Sequence, residues 1–140
     1  MNTNKNAMKL TKYSVDKISF TLNKDFDFKS SKRVNVKPVF DREVTKLDDD
    51  NYNIYLSVTF KELEQQTILP FYIDVAISGN FFLSKWEDPD KIVFARNSAT
   101  AILFPYLRSL LTTITINANV PPYILPIMNT SVLFKDTVKK

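Results

Sequence analysis

Two runs of strict alternation, residues 51–63 and 67–82, limit what this chain can fold into more than any other feature. Tyr52, Ile54, Leu56, Val58 and Phe60 fall in one phase, with Asn53, Tyr55, Ser57, Thr59 and Lys61 in the other. Phe71, Ile73, Val75 and Ile77 repeat the pattern against Tyr72, Asp74, Ala76 and Ser78. Successive strand side chains point to opposite faces, so a period of two with one apolar phase predicts a strand that buries one face. Weaker alternation predicts two more strands. Residues 13–22 alternate through Ile18, Phe20 and Leu22, and residues 33–47 through Val34 and Val36. Pro38 has no N–H for a ladder, which places the second of these at a sheet edge or a bulge. Asp48-Asp49-Asp50-Asn51 reads as a turn, and Glu64-Gln65-Gln66 as a reversal. Gly79, the only glycine, marks a bend or bulge in the last strand. With no helix-length segment between the strands, the order predicts an antiparallel meander.

A helix comes next. Ser98 is the expected N-cap, and Leu103, Tyr106, Leu107, Leu110 and Ile114 recur at helical spacing over residues 98–116. Pro105 falls inside it and predicts a kink costing about 3 kcal/mol unless packing compensates. Thr112 to Ile116 is β-branched throughout and suits a strand equally well, but length and spacing favour helix. Trp86 to Asp90 reads as a turn. Pro121, Pro122 and Pro126 exclude regular helix from residues 119–126, and residues 129–137 fit a short closing helix. The expectation is an α+β protein: a four-stranded antiparallel sheet packed with one long and one short helix. Residues 1–12 read as a disordered lead and 13–137 as one domain.

Composition removes most chemistry. The chain has no histidine and no cysteine, which excludes His-based acid–base catalysis, Ser-His-Asp and Cys-His nucleophiles, and His/Cys zinc sites. One glycine leaves no phosphate-binding or dinucleotide loop. The acidic run Asp48–Asp50 lacks calcium-loop spacing. No catalytic residue, metal or cofactor is therefore expected. The net charge of +4 divides evenly, with 12 basic and 10 acidic groups in residues 1–70 and 7 and 5 in 71–140. Lys5, Lys9 and Lys12 near one end and Lys135, Lys139 and Lys140 at the other are the basic clusters. Nucleic-acid binding needs a coherent positive face, so it is not expected. No stretch approaches the roughly 20 apolar residues of a membrane span. The N-terminal residues lack the apolar core of a secretory signal, so a cytoplasmic protein is expected.

What remains in excess is apolar and aromatic surface, including 11 Phe and 6 Tyr. Ile102, Phe104, Leu107, Leu111 and Ile114 spread beyond one helical stripe, which predicts an oligomer interface, a homotetramer with a dimer as minimum. Phe26, Phe28, Phe40, Trp86, Tyr123, Ile124 and Phe134 lie outside the clean strands. Each has an ordinary reading as core or interface, and a functional one as part of apolar grooves that accept extended chains.

Ile102-Leu103-Phe104-Pro105-Tyr106 with Arg108 resembles the signature of the SecB chaperone family. Pro121, Leu125 to Asn129 and Leu133-Phe134 resemble the family's sequence C-terminal to that signature. Lys17 to Phe20 resembles the family's first strand. The likeness covers about residues 13–134 and is motif-specific over 102–134. It implies a dimer of dimers that holds unfolded polypeptides in apolar grooves without ATP. The export members are acidic and present carboxylates to the SecA motor, whereas this chain has a pI of about 9.2 and ends soon after Phe134. On the solvent side of its clearest strands Lys61 and Asp74 offset one another, and Tyr55, Ser57, Thr59 and Tyr72 are neutral. SecA binding is thus expected to be weak or absent, and the client a specialised one such as an antitoxin, as for SecB-like chaperones of toxin–antitoxin systems. General export with SecA is the alternative within the family. A structural assembly protein with no chaperone role is the alternative outside it.

Overall fold

The computed structural model describes residues 8–26, 38–60, 69–83, 89–120 and 134. They form β1 (Met8–Leu22), β2 (Val39–Lys46), β3 (Asn51–Phe60), β4 (Phe71–Leu83) and α1 (Pro89–Asn117). The strands make one antiparallel sheet in the order β1-β4-β3-β2. A simple meander is therefore corrected: β2, β3 and β4 follow one another, but β1 returns to pair with β4, which is Greek-key order. Pro38 immediately precedes β2, an edge strand, where a missing donor is tolerated. The closing helix expected over 129–137, the reversal at residues 64–66 and the disordered lead as far as residue 7 lie outside the described residues. Residues 8–12, placed in the lead, begin β1.

The alternation in β3 and β4 is reproduced in burial except in the middle of the sheet, where Ser57, Ala76 and Ser78 of the opposite phase are buried as well. Tyr52, Ile54, Leu56, Val58 and Phe60 join Phe71, Ile73, Val75, Ile77, Phe81 and Leu83 in the core. The helix lies on that face and contributes Ala95, Ala99, Leu103, Leu107 and Leu111, one residue in four along a single stripe. Gly79 is where they meet most closely. A Cβ there would stand 3.0 Å from Leu10 Cδ1 and 3.1 Å from Leu103 Cδ1 and Phe81 Cε1. The bulge expected at Gly79 is instead on β1, where the register shifts between Leu10 and Lys12 and between Val15 and Lys17.

The helix starts well before Ser98, at Pro89, where proline's fixed φ and missing N–H suit a first turn. Ser98 is internal, not a cap. The helix runs unbroken past Pro105, which is exposed, as is Ala101, whose carbonyl loses its partner and can turn to water. The threonines fit because their hydroxyls bond backward: Thr112 Oγ1 to the Arg108 carbonyl at 3.1 Å and Thr115 Oγ1 to that of Leu111 at 3.1 Å. Asn119, with φ of 60°, ends the helix in a Schellman motif. Its N–H reaches the Ile116 carbonyl at 3.1 Å, and the Val120 N–H reaches that of Thr115 at 3.3 Å. One expectation from composition is corrected here. Ala95–Asn117 is long and apolar enough to cross a bilayer by length and composition, although Leu103, Leu107 and Leu111 are packed on the sheet.

Candidate functional site

The helix covers β3 and β4 and leaves the inward row of β1 largely open. Register places Tyr13, Val15, Ile18 and Leu22 on the core side, opposite Gly79, Ile77, Val75 and Phe71. All four are 36–56% exposed. Tyr106 reaches over this row to Tyr13, ring centroids 4.7 Å apart, and Ile102, one helical turn earlier on the same face, is also exposed. Partial burial, with Tyr106 and Asp16 nearby, pushes the Tyr13 phenol above its ordinary range. Among the described strands β1 pairs only with β4, so its 15 residues offer an open backbone edge beside an apolar row.

The opposite edge has a different character. Phe40 on β2, Phe104 on α1 and Phe134 form an aromatic triangle with centroids 5.7 to 6.2 Å apart. Arg42, two residues beyond Phe40 and on the same face, donates to the Phe134 carbonyl at 2.8 Å. Near the Leu22 end of β1, Phe20, Phe71 and Phe60 stack in sequence.

The outer face is polar. Lys9, Lys12, Asp16 and Lys17 line its β1 side and Asp41 and Glu43 its β2 side, with serine, threonine and asparagine between, interspersed with Tyr55, Tyr72 and Phe82. Lys17 pairs with Asp74, which raises the Lys17 pKa. A depression of about 170 Å³ there is lined by Lys12, Ser14, Asn53, Ser78 and Asn80 and offers nothing to an apolar ligand.

Of the residues expected in a groove, Phe40 is half-buried in the triangle and Phe134 is 3% exposed. Phe26 is half-buried in the turn after β1. Phe28, Trp86, Tyr123 and Ile124 lie outside the described residues. The residues expected at an oligomer interface divide. Ile102 is exposed and Ile114 half-buried, but Phe104, Leu107 and Leu111 are corrected to the protomer's own core, because the helix turns that stripe onto the sheet. Residue patterns missed the open β1 row, whose exposure depends on strand order. They also missed Arg42, although a cation in phase with Phe40 and Val44 was a visible signal.

An antiparallel sheet carrying one long helix on one face, with the other face mainly polar, defines an α+β protein with an exposed apolar row along β1. Residues 1–140 match the family described as Preprotein translocase subunit SecB. The chain belongs to the SecB family of chaperones. It is 36% identical over 124 residues to an uncharacterised protein of Methanocaldococcus jannaschii, covering 88% of this chain and 79% of that one. It is 26% identical to the protein-export protein SecB of Saccharophagus degradans over 74% of this chain, and spans 62% of that relative's length. The fold matches a SecB-like chaperone of Mycobacterium tuberculosis, solved with a ChAD peptide from the HigA1 antitoxin. The TM-score is 0.69 at 16% identity, covering 86% of this chain and 90% of that one.

Proposed function

We propose that this chain is an ATP-independent holdase that binds extended, non-native polypeptide on the helix-side face. The observation that carries this reading is the aromatic triangle at β2, where Phe40 and Phe104 already receive the ring of a residue distant in sequence. Phe26, Phe28, Trp86, Tyr123 and Ile124 extend that groove in the proposal. Rigid aromatic surface gives contact area at low entropic cost without demanding a sequence.

The β1 row serves assembly in this reading. An open edge beside exposed Tyr13, Val15, Ile18 and Leu22 is an association hazard in a lone protomer, and a second copy would cover it. A homotetramer, a dimer of dimers, working in the cytoplasm is the proposed form. The client is a specialised one, such as an antitoxin; the antitoxin peptide on the Mycobacterium tuberculosis chaperone supports that choice. The polar outer face, where among the described residues Lys9, Lys12 and Lys17 on β1 are mixed with Asp16, Asp41, Glu43 and Asp74 and form no dense carboxylate patch, supports weak SecA docking, since charge complementarity sets encounter rate and orientation.

The test is aggregation of a chemically unfolded protein diluted with and without the chaperone, no nucleotide present. Suppression by wild type that weakens in Phe40→Ala, with the oligomer intact, is expected. Equal aggregation with and without wild type would reject the holdase reading in favour of a purely structural assembly.

A further inference from the structure

The inward face of β2 carries a cation where its neighbours are apolar. Arg42 stands between Phe40 and Val44 and is half-buried. One guanidinium nitrogen, Nη2, donates to the Phe134 carbonyl at 2.8 Å. The other, Nη1, donates to Thr100 Oγ1 at 3.0 Å and to Asn97 Oδ1 at 3.3 Å. Thr100 Oγ1 gives its own proton to the Arg96 carbonyl at 2.9 Å, which leaves its lone pairs toward Arg42. The helix thus fixes the guanidinium before anything binds it. Its carbon also lies 5.8 Å from the centroid of the Phe134 ring, within cation–π range. Phe40 and Phe104 meet that ring edge-on.

These contacts grip one aromatic ring and one main-chain carbonyl. Any extended polypeptide with an aromatic residue offers the same two groups. We propose that Phe40, Arg42, Asn97, Thr100 and Phe104 form a subsite for an aromatic residue of a client, which Phe134 of this chain fills and a client must displace. The proposal rests on the holdase reading and names the chemistry of one of its contacts. A tethered occupant competes at high effective concentration, so a client's apparent affinity is reduced by the fraction of time the subsite stands open. Segments with a single aromatic are then held poorly. Non-native chains offering several aromatics bind through avidity.

The probe is a fluorescent, end-blocked peptide of serine and threonine with one central phenylalanine, followed by anisotropy. Phe134→Ala is expected to bind it about tenfold tighter than wild type, from the removed competition. Changing the peptide's phenylalanine to leucine, or adding Arg42→Met to Phe134→Ala, should abolish the gain. In wild type, saturating probe should speed hydrogen exchange at the Phe134 amide, and this readout decides the matter if Phe134→Ala fails to fold. Unchanged or weaker binding by a folded Phe134→Ala, or unchanged exchange at Phe134, would overturn the subsite. If wild type still suppresses aggregation of unfolded protein, the holdase reading survives that result. If it does not, both fall.

Discussion

Asp48 organises the β2–β3 turn through its carboxylate. Oδ1 accepts the Asp50 N–H at 2.9 Å, and both oxygens accept the Asn51 side-chain amide at 2.9 and 3.0 Å. The Asp50 backbone bond first, and then the Asn51 bond, holds its pKa below the ordinary carboxylate range. A carboxyl depressed in the folded state stabilises fully above its unfolded value of about 3.9 and loses that contribution as pH falls through the folded value. Asp48→Asn should therefore unfold at a lower temperature than wild type at pH 7. The gap should close as both are acidified below about pH 4, close to the unfolded value. A gap that stays constant from about pH 7 to about pH 2, read by thermal unfolding, would show that the charge is immaterial. The acidic run was legible in sequence as a turn, but which of its three aspartates organises that turn was not. That depends on which carboxylate the turn directs back toward the chain.

At the scale of elements, β4 and α1 touch through a position with no side chain. At Gly79 an added Cβ would press on Leu10, Leu103 and Phe81 at once. Gly79→Val should cost about 1–3 kcal/mol by overpacking, and denaturant titration will measure it. A neutral Gly79→Val would mean that the helix floats further from the sheet. Leu107→Ala, which opens a hole in the buried stripe, should cost about 2–5 kcal/mol. A loss under about 1 kcal/mol would return Leu107 to the interface expected from sequence. β3 and β4 were legible in their alternating stretches because both follow the period of two, although β4 begins at Phe71 rather than residue 67 and carries no bulge at Gly79. The helix was legible in its middle, but its start was not, since residues 89–97 mix apolar and charged side chains and Ser98 offered a competing cap. The aromatic site was half legible. Phe40 and Phe134 stood out by composition, whereas their junction joins residues 94 positions apart in sequence and depends on Arg42.

At the scale of the molecule, the proposed function gives the two edges different roles: β1 toward other copies, β2 toward clients. Ile18→Asp places a charge in the middle of the open row, far from Phe40, and should reduce the oligomer while leaving the fold unchanged. Light scattering that finds Ile18→Asp and wild type at the same mass, or wild type at the monomer's 16.2 kDa, would remove assembly from the β1 edge. SecA should bind weakly. Submicromolar, salt-sensitive affinity would restore general export. The central claim is that unfolded polypeptide lies on the helix-side face, beside β2. A photoreactive amino acid placed at Phe40, and in a separate protein at Tyr55 on the polar outer face, tests it most directly. Irradiation with an unfolded client should yield crosslinks from position 40 and none above background from position 55. Crosslinks from position 55 alone would place the client on the outer face and contradict the account.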